Sequence, residues 1–220
     1  MRIQLDFAAV LSQWPLLLNG IAWTIALTTV ATLIGMLLGI LCAQMRAKGP
    51  VAVRFGVGAY IELIRNTPFI VQLFFIFFGL PVAGVRLSPE TAAFIAIVLN
   101  LGAYAAEIVR AGVEATPRGQ IEAAVSLALT PFQVFTRVVL PPALKKVWPA
   151  TVSQIVIVML GSSVCGQISV PELSYAANLI QSNNFRAFES FIVAALLYLA
   201  LSVVLRKFLN WAGPRLLFGR

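Results

Sequence analysis

The chain has 220 residues, of which 60% are hydrophobic and only 11% are charged, and its mean hydropathy is +0.93. No ordinary soluble domain has this composition, and a membrane domain of this length leaves no room for a separate soluble enzyme. Histidine is absent, and the two cysteines, Cys42 and Cys165, lie in or beside apolar segments. We therefore expect no disulfide framework, metal site or histidine-based catalytic centre.

Five apolar segments are long enough to cross a membrane as helices, which takes about 20 residues. They are residues 20–45, 57–81, 91–114, 148–168 and 187–205. The second carries Glu62 and Arg65, so its membrane-buried part is expected to begin nearer Thr67. Pro141, Pro142 and Pro149 precede the fourth segment and are expected to break the helix there. The fold class is therefore an all-α membrane protein with about five transmembrane helices, and a short outer helix is predicted over residues 171–182.

The cations predict the orientation. One set of loops holds Arg46, Lys48, Arg54, Arg118, Arg137, Lys145, Lys146, Arg206, Lys207, Arg215 and Arg220, and the other set holds Arg2, Arg86 and Arg186. Because cation-rich loops stay in the cytoplasm, we expect the N-terminus outside and the C-terminus in the cytoplasm. This bias, together with contact to anionic membrane lipid, explains the net charge of +8 without a nucleic acid partner.

Two local patterns within the spans indicate helix contacts. Gly35 and Gly39 lie on one helix face, which is typical either of close packing against another helix or of ordinary glycine use in membrane helices. Two acid–base pairs, Glu62 with Arg65 and Glu107 with Arg110, share a three-residue spacing and can meet on one helix face. Each pair is either self-neutralised near a cytoplasmic helix end, which we favour, or in contact with a substrate.

The segment of residues 119–141 is too polar and too rich in proline to cross a bilayer. A short helix is predicted over residues 119–129. Thr130 as the cap, Pro131 in the first turn and Gln133 three residues after the threonine predict a second helix start. The segment therefore forms a rigid feature on the cation-rich side of the membrane, with Glu122 presented as its acid.

This segment resembles the EAA loop of binding-protein-dependent ABC importer permeases, the loop that docks on the ATPase subunit. The match includes Glu122, the two alanines that follow it, and the distal Leu140 and Pro141. At Ala128 the family usually has glycine. The resemblance implies ATPase coupling by Gly119, Gln120, Glu122, Ala123, Ala124, Leu127, Ala128, Leu140 and Pro141.

The resemblance extends over nearly the whole chain. It includes residues 18–24, residues 60–68 with Gln72, residues 103–110, Gly119 with Gln120, and residues 171–173. The chain thus resembles the polar amino acid branch of type I ABC importers, the histidine, glutamine and glutamate permease type. The implied partners are two ATPase subunits that bind ATP and Mg²⁺, a second permease subunit that is either a copy or a paralogue, and an extracytoplasmic amino-acid-binding protein in a bacterial inner membrane.

Candidate residues for the substrate path are Gln72, Gln154, Ser162 and Ser163. Family members commonly show Lys-Asp-Thr-Ser-Leu where this chain has residues 160–164, Leu-Gly-Ser-Ser-Val, so both charges are missing. The two serines fit substrate contact or, slightly better, hydrogen bonding to carbonyl groups of their own helix.

Two other functions compete with the permease interpretation. A self-sufficient secondary transporter usually needs more spans and a repeat with broken helices, and no repeat is visible. A membrane scaffold without transport activity is the second alternative. The chain has no G-x-x-x-x-G-K-[S/T] loop, so nucleotide phosphates are not expected to bind to it, and it is predicted not to be an enzyme or to hold a cofactor of its own.

Overall fold

A computed structural model describes residues 5–217, and all regular secondary structure in them is helical. The α-helices are α1 (Ala8–Leu11), α2 (Trp14–Lys48), α3 (Val51–Arg65), α4 (Phe69–Phe74), α5 (Pro89–Glu114), α6 (Arg118–Ser126), α7 (Pro131–Gln133), α8 (Leu140–Gly161), α9 (Leu173–Asn184) and α10 (Ala187–Leu217). Turns of wider or narrower pitch extend α4 to Ala83, join α7 to α8 and extend α8 to Ile168. Arg2 and Arg220, which enter the charge comparison, lie outside the described residues.

Four helical stretches of the described chain are long and apolar enough to cross a membrane. They are Trp14–Lys48, Pro89–Glu114, Pro131–Ile168 and Ala187–Arg215. Each contains one of the predicted spans completely and extends beyond it. A fifth crossing exists if α3 and the helical stretch that follows it are counted as one bent span.

The second predicted span, residues 57–81, is wrong as a single straight helix. The chain bends by 111° between α3 and the stretch Phe69–Ala83. Pro68 explains the position of the bend, because its ring disfavours helical backbone at the preceding Thr67. The helix after the bend, α4, starts at Phe69, close to Thr67, where the membrane-buried part of the span is expected to begin.

The predicted break before the fourth span is also wrong. Helical backbone continues for 38 residues, Pro131–Ile168, through Pro141, Pro142 and Pro149. A π-helical turn, Val134–Val139, directly precedes the first of these prolines. Such a local change of pitch lets a helix accommodate prolines that lack the N–H group of a regular turn. The fourth span and the segment that precedes it therefore form one continuous helical run.

Helix α5 lies at the centre of the bundle and contacts α2, α3, α4 and α8. Its buried face is made largely of small side chains, all at most 1% exposed: Ala92, Ala93, Ala96, Ala103, Ala105 and Ala106. Small side chains let helix backbones approach closely, which is the main source of packing between helices in lipid. Gly35 and Gly39 of α2 face this surface. A Cβ atom added at Gly35 would lie 3.0 Å from the Cβ of Leu101, and one added at Gly39 would overlap the Cβ of Ala105. Of the two alternatives for these glycines, the structure matches close packing, here against another helix of the same chain.

Helix α9 lies against α2 and α10 and is too short to cross a membrane. The prediction of a helix over residues 171–182 is correct in kind, but the helix starts at Leu173, so Pro171 lies before it. At Gly20 of α2 an added Cβ would lie only 2.8 Å from the Cα of Leu173. This close approach holds the beginning of α9 against the first span.

Glu172 is the N-cap of α9 and is completely buried. Its carboxylate accepts hydrogen bonds from the N–H groups of Ser174 at 2.9 Å and Tyr175 at 2.8 Å, and from the hydroxyl of Tyr198 on α10. Burial raises the pKa of this carboxyl above its ordinary value near 4.5, against the lowering effect of the hydrogen bonds. The stability linked to this group is therefore greatest at low pH and falls as pH rises through the raised pKa.

The packing of α2 on α5 predicts opposite effects for two glycines. We expect Gly39→Ala to lower the free energy of unfolding by roughly 1–3 kcal/mol, because its methyl group overpacks the interface. Gly56 in α3 has no atom within 4 Å of an added Cβ. Gly56→Ala should therefore be neutral or stabilise by up to ~1 kcal/mol through helix propensity. Thermal unfolding of the purified chain in detergent measures both, and equal melting temperatures would contradict the proposed contact.

Candidate translocation path and partner-docking segment

Glu107 of α5 is the shared partner of three guanidinium groups from three helices. Its carboxylate lies 2.7 Å from Arg110 and 3.8 Å from Arg65, and it is also paired with Arg46. Arg110 in addition donates to both carboxylate oxygens of Glu114 at 2.7 Å. Because the Glu107 side chain is only 16% exposed, its charge needs these partners. The cluster ties together α2, α3 and α5.

Of the two predicted acid–base pairs, Glu107 with Arg110 is confirmed, and Glu62 with Arg65 is wrong. Glu62 is exposed and accepts a hydrogen bond from the Asn66 side chain at 3.0 Å. Arg65 instead reaches toward Glu107, and its guanidinium lies 5.6 Å from the centre of the Tyr104 ring. A largely buried carboxylate and an aromatic ring attract the guanidinium more strongly than an exposed carboxylate on the same helix.

The cluster predicts a large difference between two conservative substitutions. Glu107→Gln should destabilise the chain by about 3 kcal/mol, because it leaves three guanidinium groups without their common counter-charge. Glu62→Gln is the matched control, and we expect a change within about 0.5 kcal/mol for this exposed site. Melting temperatures of the two purified variants test this, and a Glu107→Gln protein as stable as the control would contradict it.

Gln72 lies at the bend between α3 and α4. Its side-chain amide donates to the carbonyl groups of Ile64 at 2.7 Å and Thr67 at 2.9 Å, and its carbonyl accepts from the Asn100 side chain of α5 at 3.0 Å. It therefore satisfies carbonyl groups that the end of α3 leaves unpaired and fixes the bend against α5. All of these contacts are structural, and they use both ends of the Gln72 side-chain amide.

An open recess of about 480 Å³ lies between the end of α3, α5 and α8. Its polar lining consists of Arg65, Tyr104, Glu107, Arg110, Ser153 and Gln154. Gln154 is 9% exposed. Within residues 5–217 no hydrogen bond to its amide is present. Because Gln154 lines the recess and its amide has no partner in the fold, the amide is available to water or a ligand there.

Ser162 and Ser163 use their hydroxyl groups within their own helix. Each donates at 2.7 Å to a carbonyl three residues earlier, that of Met159 and that of Leu160 respectively. Ser162 is also completely buried. The structure thus matches the carbonyl-bonded alternative for the two serines.

The predicted helix over residues 119–129 is present as α6, Arg118–Ser126. Ala124 is 4% exposed and packs with Val134 and Val139 of the following helical turn. The other face is open: Gly119, Gln120, Glu122, Ala123 and Ala128 are exposed, as is Pro141. Leu127 is 77% exposed and Phe132 75% exposed. A small surface with the acidic Glu122 and two exposed apolar side chains, Leu127 and Phe132, therefore projects from the bundle.

Hydrogen bonds fix both ends of the turn that follows α6. The N–H of Ala128 donates to the carbonyl of Val125 at 2.9 Å, and that of Leu129 donates to Ala124 at 3.3 Å. This is a Schellman motif, with Ala128 in the left-handed region at φ 56°. Thr130 and Gln133 then form the predicted capping box at 2.9 and 3.3 Å, which confirms the helix start at Pro131.

A groove of about 680 Å³ lies between the ends of α2 and α5 and the start of the helix Pro131–Ile168. Phe132 and Leu140 line it on one side and Lys48 on the other. The Lys48 ammonium lies 5.6 Å from the centre of the Phe135 ring. The ends of α2 and α5 and the exposed segment thus share one end of the bundle.

The left-handed backbone at Ala128 predicts a gain from glycine. Ala128→Gly should stabilise the end of α6 by up to ~1 kcal/mol, since it removes the Cβ from a conformation that disfavours it. Ala123→Gly on the exposed face of α6 is the matched control and should destabilise the helix by about 1 kcal/mol. Hydrogen exchange of the α6 amides measures both changes, and the same sign for both would contradict the prediction.

These features define an all-helical, multi-pass membrane protein with a rigid segment exposed at its cation-rich end. Residues 35–218 match the family described as binding-protein-dependent transport system inner membrane component. The L-cystine transport system permease protein TcyB of Bacillus subtilis is 37% identical over 188 residues, which cover 85% of this chain and 80% of that protein. The glutamine transport system permease protein GlnP of Escherichia coli is 35% identical over 205 residues, which cover 92% of this chain and 94% of that protein.

A solved structure is also similar over nearly the full length. The crystal structure of an amino acid ABC transporter with histidines gives a TM-score of 0.89 at 34% identity, and the match covers 97% of this chain and 100% of that chain. The chain therefore belongs to the family of binding-protein-dependent transport system inner membrane components. The predicted type I ABC importer permease fold is confirmed, and the chain is a membrane subunit of a transporter rather than an enzyme.

Proposed function

We propose that this chain forms one half of the membrane path of an ATP-driven amino acid importer. The amino acid class is supported by the names of the relatives, which include a cystine and a glutamine permease protein, and by the similarity to an amino acid ABC transporter. A second permease subunit, either a copy of this chain or a paralogue, completes the path. Two ATPase subunits bind ATP and Mg²⁺, and a binding protein delivers the amino acid from outside.

The observation that carries the proposal is the exposed surface of α6 and the turn after it. Glu122 supplies one charge, and Leu127 and Phe132 supply apolar side chains that are about three quarters exposed. Exposed apolar side chains bordered by polar residues are typical of protein interaction sites. An ATPase subunit with a groove lined by basic or amide groups fits this surface.

The orientation follows from the same surface. The cation-rich loops and α6 lie at one end of the bundle, where the ends of α2 and α5 meet the exposed segment. We assign this end to the cytoplasm, where ATP is available, with the N-terminus outside and the C-terminus inside.

Movement of the ATPase subunits reaches the path through continuous helix. Ala124 packs on the turn Val134–Val139, and that turn belongs to the helical run Pro131–Ile168. The same run carries Gln154 on the wall of the recess. A displacement of α6 therefore moves the wall of the path directly, which is the mechanical requirement for alternating access.

Co-purification from membranes tests the proposal. We expect an ATP-hydrolysing partner to accompany the tagged wild-type chain and to be reduced at least about tenfold with Glu122→Arg, as for an interface centre. Glu90→Arg, which reverses a charge in the first turn of α5, is the control and should retain the partner. All variants are compared at equal membrane abundance.

The outcomes separate the alternatives. If the wild-type chain brings no ATPase, the chain is not an ABC permease subunit, and uptake without such a partner would identify a secondary transporter. If the partner accompanies wild type and Glu122→Arg equally, the importer assignment stands and the contact lies elsewhere on the chain.

A further inference from the structure

The recess between α3, α5 and α8 contains polar groups that the fold itself does not use. Tyr104, Ser153 and Gln154 line it. Their side chains form no hydrogen bond with any other residue in the range 5–217. Gln154 is the strongest of these observations, because the residue is nine-tenths buried while it lines the recess and its amide has no partner among residues 5–217. Three unused hydrogen-bonding groups at one recess indicate a ligand site.

Of the arginines that line this recess, Arg65 has the weakest ion pair with a carboxylate. The Glu107 carboxylate is already held by Arg46 and Arg110, and Arg65 approaches it only to 3.8 Å. The cluster contains three guanidinium groups against the two carboxylates of Glu107 and Glu114. The Arg65 side chain is 38% exposed, so its guanidinium remains accessible from the recess. A guanidinium with donors to spare, on the same recess as the amide of Gln154, is well suited to bind a carboxylate.

We propose that Arg65 and Gln154 together bind the α-carboxylate of the transported amino acid. This inference rests on the proposed function and adds the group that the path recognises. Arg65 provides the charge, and the amide N–H groups of Gln154 provide a directed hydrogen bond. The hydroxyl groups of Tyr104 and Ser153 are acceptors for the ammonium group of the same molecule.

The other residues that line the recess indicate what kind of substrate side chain the site accepts. Ile108, Val147 and Ile157 are apolar. Glu107 is the acid among the described residues that line the recess, and its carboxylate is held by Arg46 and Arg110, so it is not available to a basic side chain. The site therefore recognises the backbone groups of a zwitterion and accepts a neutral side chain.

Equilibrium binding to the purified permease–ATPase complex, without the binding protein, tests this. The probes are radiolabelled L-glutamine, L-cystine and the α-amide of L-glutamine, in which the carboxylate is replaced by a neutral amide. We expect Arg65→Gln to weaken binding of L-glutamine or L-cystine at least tenfold, as for a lost charge-assisted hydrogen bond. The α-amide should bind weakly to wild type and lose nothing further in Arg65→Gln.

The variant Gln154→Leu distinguishes a role of the amide in ligand binding from a role in the stability of the protein. If the amide serves a ligand, its replacement by a similarly sized apolar side chain should leave the melting temperature unchanged or raise it, while binding weakens several-fold. A structural role would instead lower the melting temperature. Arg54→Gln, on the same helix as Arg65 but outside the recess, is the control and should retain wild-type binding.

Two results would overturn the inference while the proposed function stands. One is binding of L-glutamine and L-cystine by Arg65→Gln and Gln154→Leu at wild-type strength. The other is an absence of L-glutamine and L-cystine binding to the wild-type complex when proteoliposomes with the binding protein still import the same amino acid. Failure of those proteoliposomes to import any amino acid would instead remove the proposed function.

Discussion

The close approach of α2 to α5 is the contact on which the rest of the structure depends. It is made from both sides: Gly35 and Gly39 on α2 face α5, and at Gly102 on α5 an added Cβ would lie 2.7 Å from the side chain of Leu38. In lipid the hydrophobic effect does not drive helices together, so packing of small residues has to supply the attraction. The two helices run in parallel register, and further along the same interface Arg46 meets Glu107. The interface therefore determines where the buried carboxylate finds its first partner.

The arginine cluster follows from that register and in turn limits the path. Because Arg46 and Arg110 hold Glu107 closely, the acid is unavailable to a substrate, and the third arginine is only weakly held. A carboxylate in lipid surroundings without partners would be far less stable than this arrangement. The same cluster thus stabilises three helices and leaves one cation at the edge of the recess. The same arrangement of charges therefore stabilises the contacts among three helices and supplies the cation for ligand binding.

Features that depend on neighbouring residues could be predicted from the sequence, and those that depend on distant ones could not. Hydropathy gave the spans, and the capping box at Thr130 was predicted correctly because a cap involves only four consecutive residues. The pairing of Glu62 with Arg65 was wrong because a carboxylate on another helix attracts that arginine more strongly. The spacing of two residues cannot reveal such a competitor. The unpartnered amide of Gln154 is likewise visible only when the surrounding helices are in place.

The prolines show a different limit of prediction from the sequence. Each is a helix breaker by its own chemistry, yet the chain stays helical from Pro131 to Ile168, because the π-helical turn changes the pitch just before Pro141. One proline in the chain does coincide with a sharp bend, Pro68, where Gln72 satisfies the freed carbonyl groups and links the bend to Asn100. The difference has a mechanical consequence. A bend at residues 141–142 would separate the exposed segment from the fourth span, whereas a continuous rod lets one displacement act on the docking surface and on the wall of the recess together.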